Sequence, residues 1–176
     1  MQENIIIVDE FDNQIGIGEK IEVHEKALLH RAFSILVFNS KGELMLQQRD
    51  LGKYHSGGLW TNTCCSHPRE NETLENAIHR RLKEEMGFDT ELTKKTEFIY
   101  KAILDKGLTE HEYLHVYKGF YDKEPDLNRE EAMDYRWISP SDLKIDIQKN
   151  KQDYTAWFYK IVDEYFDELF GELKKE

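Results

Sequence analysis

The sequence is short of cysteine, of proline and of positive charge, and each shortage excludes something. Its only cysteines, Cys64 and Cys65, are adjacent, so a loop-closing disulfide between them is geometrically poor. A disulfide-stapled secreted domain is thereby excluded, and a reducing, cytoplasmic setting is the expectation. Three prolines and no low-complexity tract in 176 residues argue against disorder. Basic residues number 24 against 35 acidic ones, a net charge of −11, which argues against a general coat for nucleic acid or an anionic membrane. No apolar run approaches the ~18 residues of a membrane span. Residues Met1–Glu10 have neither the basic head nor the long apolar stretch of a secretory leader.

What is present suits one domain covering residues 1–176. Hydrophobic residues make up 39%, charged residues 34% and aromatics 12%, enough to bury a core beneath a charged surface. Ile5–Val8 and Ile15–Lys20 read as strands, and His24–Arg31 as a loop or single turn. Ala32–Phe38 and Leu44–Arg49 flank a turn at Asn39-Ser40-Lys41-Gly42, and a glycine-containing loop runs from Gly52 to Gly58. Leu74, Ala77, Ile78 and Leu82 repeat at helical spacing, which predicts a helix over Leu74–Met86 with Asn71 or Thr73 as cap and Gly87 at its end. Strands follow at Phe98–Leu104, His111–Phe120 and Met133–Ile138, and Ser139-Pro140 opens a further helix. Aromatic and aliphatic residues from Tyr154 through Trp157, Phe158, Ile161, Val162, Tyr165, Phe166, Leu169 and Phe170 to Leu173 predict one long C-terminal helix. The fold class expected is α+β, a sheet held between the mid-chain and terminal helices.

Three clusters carry chemistry. In Cys64-Cys65-Ser66-His67 an extended backbone places Cys65 and His67 on one side and Cys64 on the other. In Glu110-His111-Glu112 the two carboxylates share a side, where they repel unless a cation or a proton lies between them. His24 and His30 add imidazoles, and His24, His30, His67, Glu110 and Glu112 together make a five-ligand set of mixed nitrogen and oxygen donors, suited to Zn²⁺, Mn²⁺ or Mg²⁺. His111 and His115 fall on the opposite side of their strand and read as structural; His55 and His79 lack a partner pattern and read as surface residues. On the mid-chain helix Arg80/Glu84 and Arg81/Glu85 are four apart and share faces, as many ion-paired helices do.

A longer pattern runs through that helix. Glu72, Arg80, Leu82, Glu84, Glu85, Met86, Gly87 and Phe88 resemble the Nudix box, with Ser66 in place of its first glycine and Arg81 in place of a metal-holding glutamate. Leu28–Ser34, Gln47-Gln48-Arg49, Trp60–Pro68, Glu110-His111-Glu112 and Asp134–Trp137 resemble type I isopentenyl-diphosphate isomerases, over roughly residues 5 to 165. Ser56-Gly57 stands where relatives often carry proline before glycine.

The resemblance implies a Nudix-like α/β/α sandwich with a mixed sheet. It also implies interconversion of isopentenyl and dimethylallyl diphosphate through a tertiary carbocation. It places a catalytic thiol on Cys65 and a catalytic carboxylate on Glu112, with Tyr100 beside Glu112 and Trp157 over the carbon skeleton. A first divalent ion (Zn²⁺ or Mn²⁺) falls to His24, His30, His67, Glu110 and Glu112, and Mg²⁺ carried with the diphosphate falls to Glu85. Phosphate contacts fall to Lys20, Arg49, Lys53 and Arg81. The partner is then a small isoprenyl diphosphate, with the chain a monomer or weak homodimer. Two other classes compete: a Nudix pyrophosphohydrolase of a nucleoside diphosphate derivative, and a non-catalytic zinc module on Cys64, Cys65, His67 and His24.

Overall fold

Strand β3 (His30–Phe38) is buried on both faces along nearly its whole length, so the chain has to supply a cover on each side. In the computed structural model, which describes residues 3–171, the two covers are different helices. Phe33, Ile35 and Val37 face α2 (Leu74–Met86), whose Ala77, Ile78, Leu82 and Met86 close that core. Ala32, Leu36 and Phe38 face α3 (Pro140–Lys149) and α4 (Ala156–Glu164), which contribute Leu143, Ile147, Phe158 and Ile161. Each fully buried aliphatic or aromatic side chain here contributes about 1.5–3 kcal/mol. The result is an α/β/α sandwich.

The sheet is mixed. Hairpin β1–β2 (Asn4–Val8, Gln14–Glu19) forms one edge and leads into α1 (Lys20–Glu25). β3 runs parallel to β8 (Thr109–Phe120), with His30 opposite Glu112, and β8 pairs antiparallel with β7 (Leu92–Ile103). On its other side β3 pairs with the short β6 (Cys64–Ser66), while β4 (Leu44–Arg49) carries β5 (Trp60–Thr61) and β9 (Ala132–Ile138). The expected α2 has the bounds read from sequence: the Thr73 hydroxyl accepts from the Asn76 N–H at 3.2 Å, and Gly87 ends the helix at φ 71°. A Cβ on Gly87 would lie 2.0 Å from the Asp126 carbonyl oxygen, so both space and φ demand glycine there.

The single long C-terminal helix does not form. The helical periodicity persists, but the backbone breaks at Tyr165 (φ −128°, ψ 30°), separating α4 from α5 (Phe166–Phe170). Tyr165 stacks on Phe98 at 3.8 Å between ring centroids, and beyond the bend Phe170 packs edge-on against Phe38. A straight helix would carry α5 off the sheet that it covers. Leu173 lies outside the described residues.

Candidate active site

Strand register brings the chemistry together. His30 and Ser34 are four apart on β3 and share a face; Glu112 lies beside His30 on one side of the strand, and Cys65 beside Ser34 on the other. One strand further out Tyr100 pairs with Glu112 and Ala102 with Glu110. The Tyr100 hydroxyl therefore donates to Glu112 Oε2 at 2.7 Å. Alternation sends Cys64 the other way, fully buried among the α2-side core residues, while Cys65 lines the cavity.

A cluster of donors sits at the β3–β8 seam. His24 arrives from the last turn of α1, where the sequence suggested only a loop or turn, His30 comes from β3, and His67 follows directly after β6. One ligand atom each from His24, His30, His67 and Glu110 lie within 4.8 Å of one another, all buried. The Nδ1 atoms of His24 and His30 face the Lys20 and Leu28 carbonyl oxygens at 2.6 and 2.8 Å, which turns both Nε2 atoms toward the cluster. His24 Nε2 meets Glu110 Oε2 at 3.1 Å, and His30 Nε2 meets His67 Nε2 at 3.2 Å. Nitrogen lone pairs and a carboxylate converging in a dry site fit a divalent cation. Glu112, expected as a fifth ligand, lies at the margin, its Oε1 3.2 Å from His67 Nε2 and 3.8 Å from His30 Nε2. Among the described residues this donor set contains no thiol, which removes the basis for the zinc–thiolate module.

The carboxylates are electrostatically unequal. Burial and the neighbouring Glu110 push Glu112 well above the usual carboxylate range. Burial raises Glu110 too, but the His24 and His30 imidazoles beside it outweigh this and hold it well below that range. Two charges side by side here require a cation or a proton between them. Burial, with Glu85 next in importance, pushes the Cys65 thiol up to about 12. An acceptor role for Cys65 therefore requires cations that offset the nearby carboxylates.

The cavity they line collects cations despite the acidic surface. Lys20, Arg49, Lys53 and Arg81 all reach it, as do Glu85 and Trp157. Arg81 is bonded to Glu84 at 2.7 Å and to Glu85, and lies 3.3 Å from Glu131, which also pairs with Lys53. The Nε–H groups of Arg49 and Arg81 are buried without an acceptor among the described residues. Such donors call for an anion. The Arg49 guanidinium lies over the Trp157 ring, 5.1 Å from its centroid.

Some of the lining was not legible in the sequence. His55, expected on the surface, is 3% exposed and lines the cavity beside Tyr54. Burial and the Arg49 charge push its pKa down to about 3. Gln47, buried, donates to Glu85 Oε2 at 2.8 Å. His79 is only partly buried, paired with Asp89 at 2.6 Å, and His115 is buried against Asp12 at 2.9 Å on the far face of β8.

Residues 28–158 match the NUDIX domain model. The chain is similar to Isopentenyl-diphosphate Delta-isomerase 2 of Photorhabdus laumondii, with 53% identity over 93% of this chain and 92% of that one. Its identity to Isopentenyl-diphosphate Delta-isomerase 2 of Aromatoleum aromaticum is 48%, over 93% of this chain and 86% of that one. The chain belongs to the isopentenyl-diphosphate Delta-isomerase family of Nudix proteins. Its fold is shared more widely. The crystal structure of DR0079 from Deinococcus radiodurans superposes with a TM-score of 0.76 at 19% identity, covering 92% of this chain and 98% of that one. Within this isomerase family frame the departure at Arg81 acquires a physical meaning. Where the Nudix box has a metal-holding carboxylate, a guanidinium here occupies Glu84 and Glu85 and faces the cavity.

Proposed function

We propose that this chain interconverts isopentenyl diphosphate and dimethylallyl diphosphate. The observation that carries the reading is the placement of Cys65 and Glu112 on opposite sides of β3, in one cavity that also gathers four cationic side chains. Moving the double bond requires a proton added at the terminal alkene carbon and another removed two carbons away, through a tertiary cation. Glu112, hydrogen-bonded by Tyr100, is the donor; Cys65, as the thiolate that the neighbouring Arg49 charge favours, is the acceptor for the proton that leaves. General acid–base steps of this kind contribute about 10²–10⁴-fold each. Trp157 offers its ring to the developing cation, a contact worth about 2 kcal/mol when desolvated. Lys20, Arg49, Lys53 and Arg81 hold the diphosphate, their local field outweighing distant acidic charges that salt screens beyond about 8 Å.

His24, His30, His67, Glu110 and Glu112 would hold a Zn²⁺ or Mn²⁺ ion, and Glu85 a Mg²⁺ ion arriving with the diphosphate. Bound, these cations supply charge that fixes the carboxylates and neutralises the diphosphate. The hydrolase reading is disfavoured because Arg81 replaces a carboxylate needed to collect metal around a scissile diphosphate. The site is that of a cytoplasmic enzyme acting on a small isoprenyl diphosphate, as a monomer or weak homodimer. Proton NMR of isopentenyl diphosphate with the protein and Mg²⁺ tests this: dimethylallyl methyl signals should appear and should be abolished by chelation. Phosphate release from a nucleotide panel, without those signals, would transfer the protein to the hydrolases.

A further inference from the structure

Trp157 is buried, yet its indole Nε1–H finds no acceptor among the described residues. No hydrogen bond within the described protein fixes the ring, so its orientation rests on what packs against it. One such neighbour is His55, perpendicular to the indole at 87° with ring centroids 5.5 Å apart. Another is Arg49, and Arg49 Nη2 donates to the backbone carbonyl of His55 at 3.1 Å. His55 thus touches both the aromatic ring and the cation beside it, one through its side chain and one through its backbone.

The residue is itself firmly held. Tyr54 packs against its ring at 79° with centroids 4.3 Å apart, and Nδ1 lies 3.1 Å from Ser56 Oγ. Ser56 adopts φ 52°, and its N–H donates at 3.2 Å to Asp105 in the β7–β8 turn, which ties the loop to the sheet. Its ring centroid also lies 6.4 Å from that of His24, so His55 neighbours both the donor cluster and the indole.

We propose that His55 is a positioning residue for the isomerisation: its ring sets the Trp157 indole against the cavity, while its carbonyl sets Arg49, keeping the two in register. The proposal rests on the function given above. The ring side of this arrangement acts on the carbon skeleton as charge develops, and the backbone side acts on the diphosphate. Removing the ring should therefore lower turnover and leave substrate affinity nearly intact, because the carbonyl stays.

The test uses the full-length, divalent-cation-loaded protein with isopentenyl diphosphate as substrate. His55→Ala, His55→Leu and His55→Phe are compared in kcat and KM. An aromatic pair of this geometry supports an expected loss of about tenfold in kcat for His55→Ala and His55→Leu, with KM within about threefold of wild type. His55→Phe, which keeps a perpendicular ring, should recover most of the kcat. Wild-type kcat in His55→Ala, a rise in KM with kcat unchanged, or a His55→Leu variant equal to His55→Phe would overturn the proposal. If His55→Ala does not fold, the Leu and Phe variants decide alone. An active wild type with an unaffected ring deletion defeats this proposal only; a wild type inert toward isopentenyl diphosphate defeats the function and this proposal with it.

Discussion

Removing the Tyr100 hydroxyl tests the proton-transfer scheme with little structural cost. Tyr100→Phe keeps the ring, which is 4% exposed and packed between β7 and the terminal helices, and deletes one hydrogen bond of 2.7 Å to Glu112 Oε2. While Glu112 is protonated the bond joins two neutral groups and is worth about 0.5–1.5 kcal/mol. As Glu112 gives up its proton the acceptor becomes an anion, and a bond to a charged group is worth about 1.5–3 kcal/mol. The difference, about 1–2 kcal/mol, is realised only on the way to the transition state. The variant should therefore lose about 5–30-fold in kcat with KM unchanged. Stability should fall by about 1 kcal/mol, which lowers Tm by about 2–4 °C in a chain of this length. Steady-state kinetics on isopentenyl diphosphate and a thermal melt read both quantities. Wild-type kcat, or a KM that rises in step with the lost activity, would refute the assignment of Glu112 as proton donor.

The cysteines should separate cleanly: Cys64→Ala, in the α2-side core, loses about 1–2 kcal/mol of stability and keeps turnover, while Cys65→Ala and Cys65→Ser lose turnover and keep the melting midpoint. Equal activity losses at the two positions would defeat the alternation argument. His67→Ala should lower the bound-metal content measured by elemental analysis, and full stoichiometry with normal turnover would remove His67 from the ligand set. Hydrogen bonds from Arg80 at 2.6 and 2.8 Å hold the Glu72 carboxyl below its ordinary range. A lowered folded-state pKa stabilises above the unfolded value, about 4.3, and that stability is lost as pH falls through the folded value. Glu72→Gln should then be less stable than wild type at neutral pH, with the gap closing as acid is added; a gap that persists at pH 2 would contradict the ion pair.

How much of this was legible beforehand depended on whether a short-range pattern controls the outcome. On β8 the period of two separates Glu110 and Glu112 from His111 and His115, and the register then leaves Glu112 only one neighbour on β7, Tyr100. The α2 bounds follow from Thr73, Gly87 and the apolar spacing, all local signals. Strand β7 begins at Leu92 rather than Phe98, because its first half is largely solvent-facing, without the apolar alternation that marks a half-buried strand. The break at Tyr165 was hidden because aromatic spacing continues through it; the bend is decided by Phe98 on a distant strand. His55 was hidden for the same reason. Apart from Tyr54 beside it, its ring partners Trp157 and His24 come from two remote helices.

The most direct test of the central claim is proton and deuterium NMR of isopentenyl diphosphate incubated in D₂O with the cation-loaded protein. Addition of a solvent-derived proton at the terminal carbon and loss of another two carbons away predict dimethylallyl diphosphate with deuterium in a methyl group, and no released phosphate. Recovery of unlabelled isopentenyl diphosphate, or cleavage of its diphosphate without movement of the double bond, would contradict the account.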